Sequence, residues 1–124
     1  MKILIAEDDP ISRRVLEVNL LEWGYEVMVA SDGSEAWEII QQHESPSLII
    51  SDWMMPGMSG IEVLQNLRKT PKTASIPVYM LTAKGKMGDA EKAFAAGADG
   101  YFTKPIDLKE LSERLRRRLD ELGQ

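Results

Sequence analysis

Five short apolar runs punctuate the chain, at residues 3–6, 27–30, 48–50, 78–81 and 101–103. Each has the length of a strand, and most are apolar at every position, the pattern of parallel strands covered on both faces. Between them the apolar period changes to three and four. Ile11, Val15, Val18 and Leu21 (or Leu20) predict a first helix buried along that stripe, with Gly24 as its stop. A second spans 34–43 with Ala36, Trp37 and Ile40 on one side, and a third spans 59–68 with Ile61, Leu64 and Leu67. The fourth, at 88–96, is mostly alanine apart from Phe94 and ends at Gly97. The fifth, at 107–122, opens with Asp107 and Glu110 at capping-box spacing. Leu108, Leu111, Leu115, Leu119 and Leu122 form its stripe.

Strand–helix alternation repeated five times predicts one doubly wound α/β domain with a parallel sheet and right-handed crossovers. No repeat, low-complexity tract or linker divides the 124 residues, so a single domain over 1–124 is expected. Ligands of such a sheet bind beyond the C-terminal strand ends, where the winding direction reverses. The groups just after each apolar run are therefore the candidates. They are Glu7, Asp8 and Asp9 after the first, Asp52 after the third, Thr82 after the fourth, and Lys104-Pro105 after the fifth. The second run ends in "ASDGS" and contributes no comparable group, as expected of an edge strand. Each residue alone has an ordinary explanation as a cap, turn former or surface charge; their joint occurrence at matching strand ends does not.

Composition narrows the chemistry. The chain has no cysteine, which excludes disulfides, thiolate metal sites and a cysteine nucleophile. The formal net charge of −5 argues against direct nucleic-acid binding, because phosphate contacts need a basic face. Arg116-Arg117-Arg118 is the local exception and reads as a solvated face favoured by the helix C-terminus. No run has the roughly 18–20 apolar residues needed to span a bilayer, and "MKILIAEDDP" is not a secretory signal. A soluble, cytoplasmic protein is expected.

Three adjacent carboxylates repel one another unless a cation sits among them. With no cysteine and no nearby histidine, the cluster is an all-oxygen site suited to Mg²⁺, with Mn²⁺ as the alternative. Lys104 adds a second positive charge, and Thr82 a hydrogen-bond donor. A carboxylate so flanked is equipped to attack a phosphoryl group. The loop "SDWMMPGMSG" marks Asp52 as that nucleophile, because Pro56 and two glycines set a tight turn that presents the backbone after it. A carbonyl near Met54 can complete the metal's shell, while the methionine side chains read as loop packing. His43, the sole histidine, falls near the end of the second helix and reads as a surface residue.

Over essentially its full length the chain resembles a response-regulator receiver domain, the phosphoacceptor module of two-component signalling. The pieces that carry the resemblance are "ILIAEDD", "DGSEAW", "SDWMMPGMSG", "MLTA", "AAGADGY" and "YFTKP", in that order. The resemblance implies a flavodoxin-like sheet of order 2-1-3-4-5. It implies that Asp52 accepts phosphate from a phosphohistidine of a sensor histidine kinase or phosphotransfer protein. Asp8, Asp52 and the Met54 carbonyl would ligate Mg²⁺, with Glu7 acting through water. Lys104 would contact the phosphoryl group, Thr82 and Tyr101 would relay the switch, and the Lys104–Pro105 bond would be cis. Met54 and Lys84 would tune how water reaches the phosphoaspartate. Asp9 is left a weaker, structural role.

Two active alternatives share parts of this set. A haloacid-dehalogenase-type phosphatase needs a second acid two residues after the nucleophile, where this chain has Met54. A flavodoxin-like electron carrier needs a phosphate-cradling loop after the first strand, where "EDDP" would repel the ligand. A degenerate, binding-only receiver conflicts with the presence of Asp52, Thr82 and Lys104. No output sequence follows the last helix, so signalling by contact with an effector protein or an attached output domain is expected. The output face would be helix four, strand five and helix five. The expected state is a monomer or a phosphorylation-linked homodimer.

Overall fold

A computed structural model describes residues 1–42, 46–83 and 89–121. Its elements run β1 (Lys2–Ala6), α1 (Pro10–Glu22), β2 (Glu26–Ala30), α2 (Gly33–Gln42), β3 (Leu48–Asp52), α3 (Gly60–Lys69), β4 (Val78–Ala83), α4 (Asp89–Ala95), β5 (Gly100–Lys104) and α5 (Leu108–Glu121). The strands form one parallel sheet of order β2-β1-β3-β4-β5. This is the doubly wound topology, and its winding reverses between β1 and β3.

Alternation along each strand builds two cores. Ile3, Ile5, Leu48, Ile50, Tyr79, Leu81 and Phe102 face α1 and α5, meeting Leu16, Leu20, Leu111 and Leu115. Leu4, Ala6, Ile49, Val78 and Met80 face the other side, meeting Ala36 and Ile40 of α2, Val63, Leu64 and Leu67 of α3, and Ala93 of α4. Because helices cover both faces, every residue of β3 is buried. That is why the sequence shows an unbroken run there instead of alternation. The edge strand β2 is buried only at Ala30.

The first helix corrects the reading of its stripe. Ile11, Val15, Val18 and Leu21 are exposed (75, 40, 42 and 51 %), while Leu16 and Leu20 are sealed against the sheet. The helix carries apolar residues on two faces, and Leu16-Leu20-Trp23 satisfies the same three-and-four spacing. Only docking on the sheet chooses between them. The start was legible but missed: Asp9 caps the helix, accepting from Ser12 N at 3.1 Å and Ser12 Oγ at 2.7 Å, and Pro10 is the first helical residue.

The other helices lie within a residue or two of expectation where they are described. Ser59 caps α3. Val63, which the predicted stripe omitted, is buried beside Leu64 and Leu67, and Ile61 is only half-buried. Glu110 N donates to Asp107 Oδ1 at 3.1 Å at the start of α5. His43, Lys84 and Leu122, and the start of the fourth predicted helix at Gly88, lie outside the described residues. Arg116 and Arg117 are exposed and Arg118 half-buried.

Candidate phosphoacceptor site

The site forms at the C-terminal ends of β1 and β3, where the winding reverses, and the polar residues sit at the strand ends where the sequence reading put them. Asp52 pairs in register with Leu81, Thr82 with Thr103, and Ala83 with Lys104. Asp52, Thr82 and Lys104 are thus the last or next-to-last residues of their strands. The ladder continues because backbone pairing is indifferent to a polar side chain at a strand end that opens on a crevice. Held by strand backbone, these groups have little freedom to wander.

Glu7 and Asp52 are buried, with 0 and 5 % exposure, while Asp8 is open to solvent. Carboxylate oxygens of Glu7, Asp8 and Asp52 all lie within 4.8 Å of one another. Lys104 bridges two of them: its Nζ donates to Asp52 Oδ2 at 3.1 Å and pairs with Glu7 Oε1. Asp9 N donates to Glu7 Oε2 at 3.2 Å, and Arg13 Nη1 to the Glu7 carbonyl at 3.0 Å, so the acidic segment is fixed from both sides. Burial, helped by the Asp52 carboxylate and opposed by Lys104, pushes Glu7 up to about 7. Burial pulls Lys104 down, but hydrogen bonds and charge from Glu7 and Asp52 outweigh it, and the ammonium ends raised. The Ser12 hydrogen bonds lower Asp9, whose carboxylate is thereby committed to the helix cap.

One lysine does not neutralise three carboxylates. The all-oxygen donor set, its spacing and its opening through Asp8 therefore suit a hard divalent cation, and these residues can hold a metal.

The remaining predicted residues fall around this centre. Thr82 is buried in β4, one position past the partner of Asp52. Tyr101 is half-buried in β5 against the core under α3 and α4. The Lys104–Pro105 bond is cis. In the β3–α3 loop Met55 and Met58 pack against the core, as the reading of the methionines expects. Met54 does not, being 72 % exposed. Sequence reasoning also missed Arg68, which ties α3 to the loop before β5. Its guanidinium donates to the carbonyls of Ala74, Ile76 and Gly97 and pairs with Asp99. No short-range signal marks these partners, which lie up to 31 residues away.

A family model for the response regulator receiver domain matches residues 3–116. The chain is 42 % identical over 126 residues to the DNA-binding dual master transcriptional regulator RpaA of Synechocystis sp., covering 99 % of this chain and 52 % of that protein. It is also 42 % identical over 115 residues to the phosphate regulon transcriptional regulatory protein PhoB of Rhizobium meliloti, covering 93 % of this chain and 50 % of that protein. The chain thus spans about half the length of these curated relatives. Among solved structures, the receiver domain of the Francisella response regulator 1452 superposes with a TM-score of 0.89 at 32 % identity, covering 98 % of each chain. A receiver-domain model that matches nearly the whole chain, relatives above 40 % identity and a shared fold at 32 % identity agree: the chain belongs to the response regulator receiver domain family of two-component systems.

Proposed function

We propose that Asp52 is the phosphoacceptor of a Mg²⁺-dependent switch charged by a histidine kinase or phosphotransfer protein. The observation that carries this reading is the convergence of Glu7, Asp8 and Asp52 within 4.8 Å with Lys104 at 3.1 Å from Asp52. An Asp52 oxygen attacks phosphorus in line, the phosphorus–nitrogen bond of the donor breaks, and its electron pair returns to the protonated imidazole. Lys104 stabilises charge on the transferred oxygens, and Thr82 donates to one of them. Asp8, Asp52 and the Met54 carbonyl would hold Mg²⁺, with Glu7 reaching it through water; the ion supplies positive charge against the phosphoryl oxygens.

The new group carries close to two negative charges, which draw Thr82 and bias Tyr101. The readout is on α4, β5 and α5, where α4 is short and Phe94 is half-exposed. The effector there is a protein or an output domain, and the relatives' names as transcriptional regulators are compatible with the second. The exposed Ile11 and Val15 border a cavity whose floor includes Glu7 and Lys104, which favours approach of the donor along α1. The family is one of receiver domains, not of classical enzymes; any catalysis is of the chain's own phosphorylation and dephosphorylation. No described helix is long and apolar enough to cross a membrane, and we place the domain in the cytoplasm. Residues 1–124 act as one receiver, as a monomer or a phosphorylation-linked dimer, and it does not itself bind nucleic acid.

Incubation with Mg²⁺ and acetyl phosphate, followed by intact mass, tests the reading. A single phosphoryl gain, absent in Asp52→Asn and without Mg²⁺, is expected; repeated turnover of a phosphate ester would point to a phosphatase instead. Exposed, apolar Met54 offers attacking water no hydrogen-bonding partner, so the phosphoaspartate should persist well beyond seconds. A half-life of seconds with Mg²⁺ would overturn that part.

A further inference from the structure

The stretch "DGSEAW" matches the family yet brings no polar side chain to the site, and its glycine raises the question of what it is for. A Cβ on Gly33 would stand 1.6 Å from the Met58 carbonyl oxygen and 2.6 Å from its carbon. A Cβ on Gly60 would stand 2.0 Å from the Asp52 carbonyl oxygen, 3.0 Å from its carbon and 2.9 Å from Met80 Cε. Ordinary contact begins near 3.4 Å. The atoms opposed are backbone, so no rotamer change relieves either clash. Neither glycine has a positive φ. What these positions require is the absence of a side chain, not a left-handed backbone.

Both contacts bear on one loop, residues 53–59: the first falls on Met58 within it, and the second joins the residues that flank it, Asp52 and Gly60. The loop's start is pinned by Trp53 N donating to Leu81 O at 2.8 Å, and its end by Gly60 N donating to Trp53 O at 2.9 Å. The first residue of α3 thus lies directly on the backbone of Asp52. The first residue of α2 presses the returning limb of the same loop at Met58. Between the two contacts hangs Met54, whose carbonyl the proposed function gives to Mg²⁺.

We propose that Gly33 and Gly60 are positioning residues of the phosphoacceptor site. Their two backbone contacts set the distance between Asp52 and Met54 on one side and Glu7 and Asp8 on the other. The start of α2, which contributes no ligand, thereby controls the site through contact with Met58. This inference rests on the reading of Asp52, Asp8 and Met54 as the Mg²⁺ and phosphoryl site.

A Cβ at Gly60 forces Asp52 and its helix about 1.4 Å apart before ordinary contact is restored, and one at Gly33 moves the loop further. Mg²⁺ demands near-octahedral ligands at about 2 Å, and a misplacement of about 1 Å can cost on the order of a hundredfold in a reacting site. Gly33→Ala and Gly60→Ala are therefore expected to weaken Mg²⁺ binding at least tenfold. The control is Gly24→Ala: its φ of +96° strains any side chain, but a Cβ there meets nothing within 4 Å.

Two measurements separate positioning from framework. The Mg²⁺-induced rise in the urea midpoint reports affinity of the folded form even in a destabilised variant, and tryptophan fluorescence gives a direct titration. The inference predicts that Gly24→Ala loses stability but keeps wild-type Mg²⁺ affinity, whereas Gly33→Ala and Gly60→Ala lose affinity while still unfolding cooperatively. Wild-type affinity in both, or failure of both to fold at saturating Mg²⁺, overturns it. Asp8→Ala serves the underlying reading separately. If wild type shows no Mg²⁺ response, or Asp8→Ala retains it, the site assignment fails; if those behave as expected and the glycine variants bind normally, only the positioning role fails.

Discussion

Replacing Glu7 by glutamine asks how much a buried carboxylate costs this fold when no metal is bound. Glu7 is wholly inaccessible, and burial with the adjacent Asp52 raises it from the ordinary 4.5 to about 7. Below pH 4.5 both folded and unfolded chains hold the proton. Between 4.5 and 7 the unfolded chain releases it and the folded chain keeps it. The stability associated with the neutral group is therefore fully present below 4.5 and is lost as pH rises through about 7. At roughly 1.4 kcal/mol per pH unit that window is worth about 3 kcal/mol. Glu7→Gln keeps the shape, removes the titration and leaves Lys104 with Asp52 at 3.1 Å. Urea unfolding with a chelator present, from pH 4.5 to 8, should show wild type losing about 3 kcal/mol relative to Glu7→Gln. A difference independent of pH would refute the reasoning, because Glu7 would then be ionised in the fold throughout.

Other substitutions separate neighbours that look alike in sequence. Asp9→Ala should cost about 1 kcal/mol in urea unfolding through loss of the α1 cap while leaving Mg²⁺ affinity unchanged; Asp8→Ala should do the reverse. Leu20→Ala should cost about 3 kcal/mol by opening a cavity in the α1/α5 core. Val18→Ala on the exposed face of the same helix should cost under about 1 kcal/mol, and equal costs would mean α1 is rotated. Arg68→Ala should lower stability by about 2 kcal/mol, because the carbonyls of Ala74, Ile76 and Gly97 all lose their guanidinium donor. An unchanged urea midpoint would show that water replaces it freely.

The alternation of runs identified the architecture because parallel strands and their crossover helices leave different periods in a chain. The candidate site was legible for a related reason: in a doubly wound sheet, residues at successive strand ends converge whatever the intervening sequence, so Glu7, Asp8, Asp52, Thr82 and Lys104 could be grouped before any distance was known. The errors have a common source in surfaces that only meet in three dimensions. Along α1 two apolar faces share one spacing, and nothing local says which meets the sheet. Asp9, by contrast, was rightly set apart from Asp8 as structural, but what it does was not read: its carboxylate caps α1 by accepting from Ser12 N.

By itself, the sequence determined which residues could make strands, which side chains could hold a cation and accept a phosphoryl group, and in what order they come to one edge. Those properties reside in residue type and period. Tertiary structure decided which face of α1 is buried, that Glu7 is sealed beside Asp52 so that its charge is costly, and that Gly33 and Gly60 must lack a side chain. Each of these depends on atoms from distant segments occupying the same few ångströms, and close packing of that kind has no one-dimensional signature.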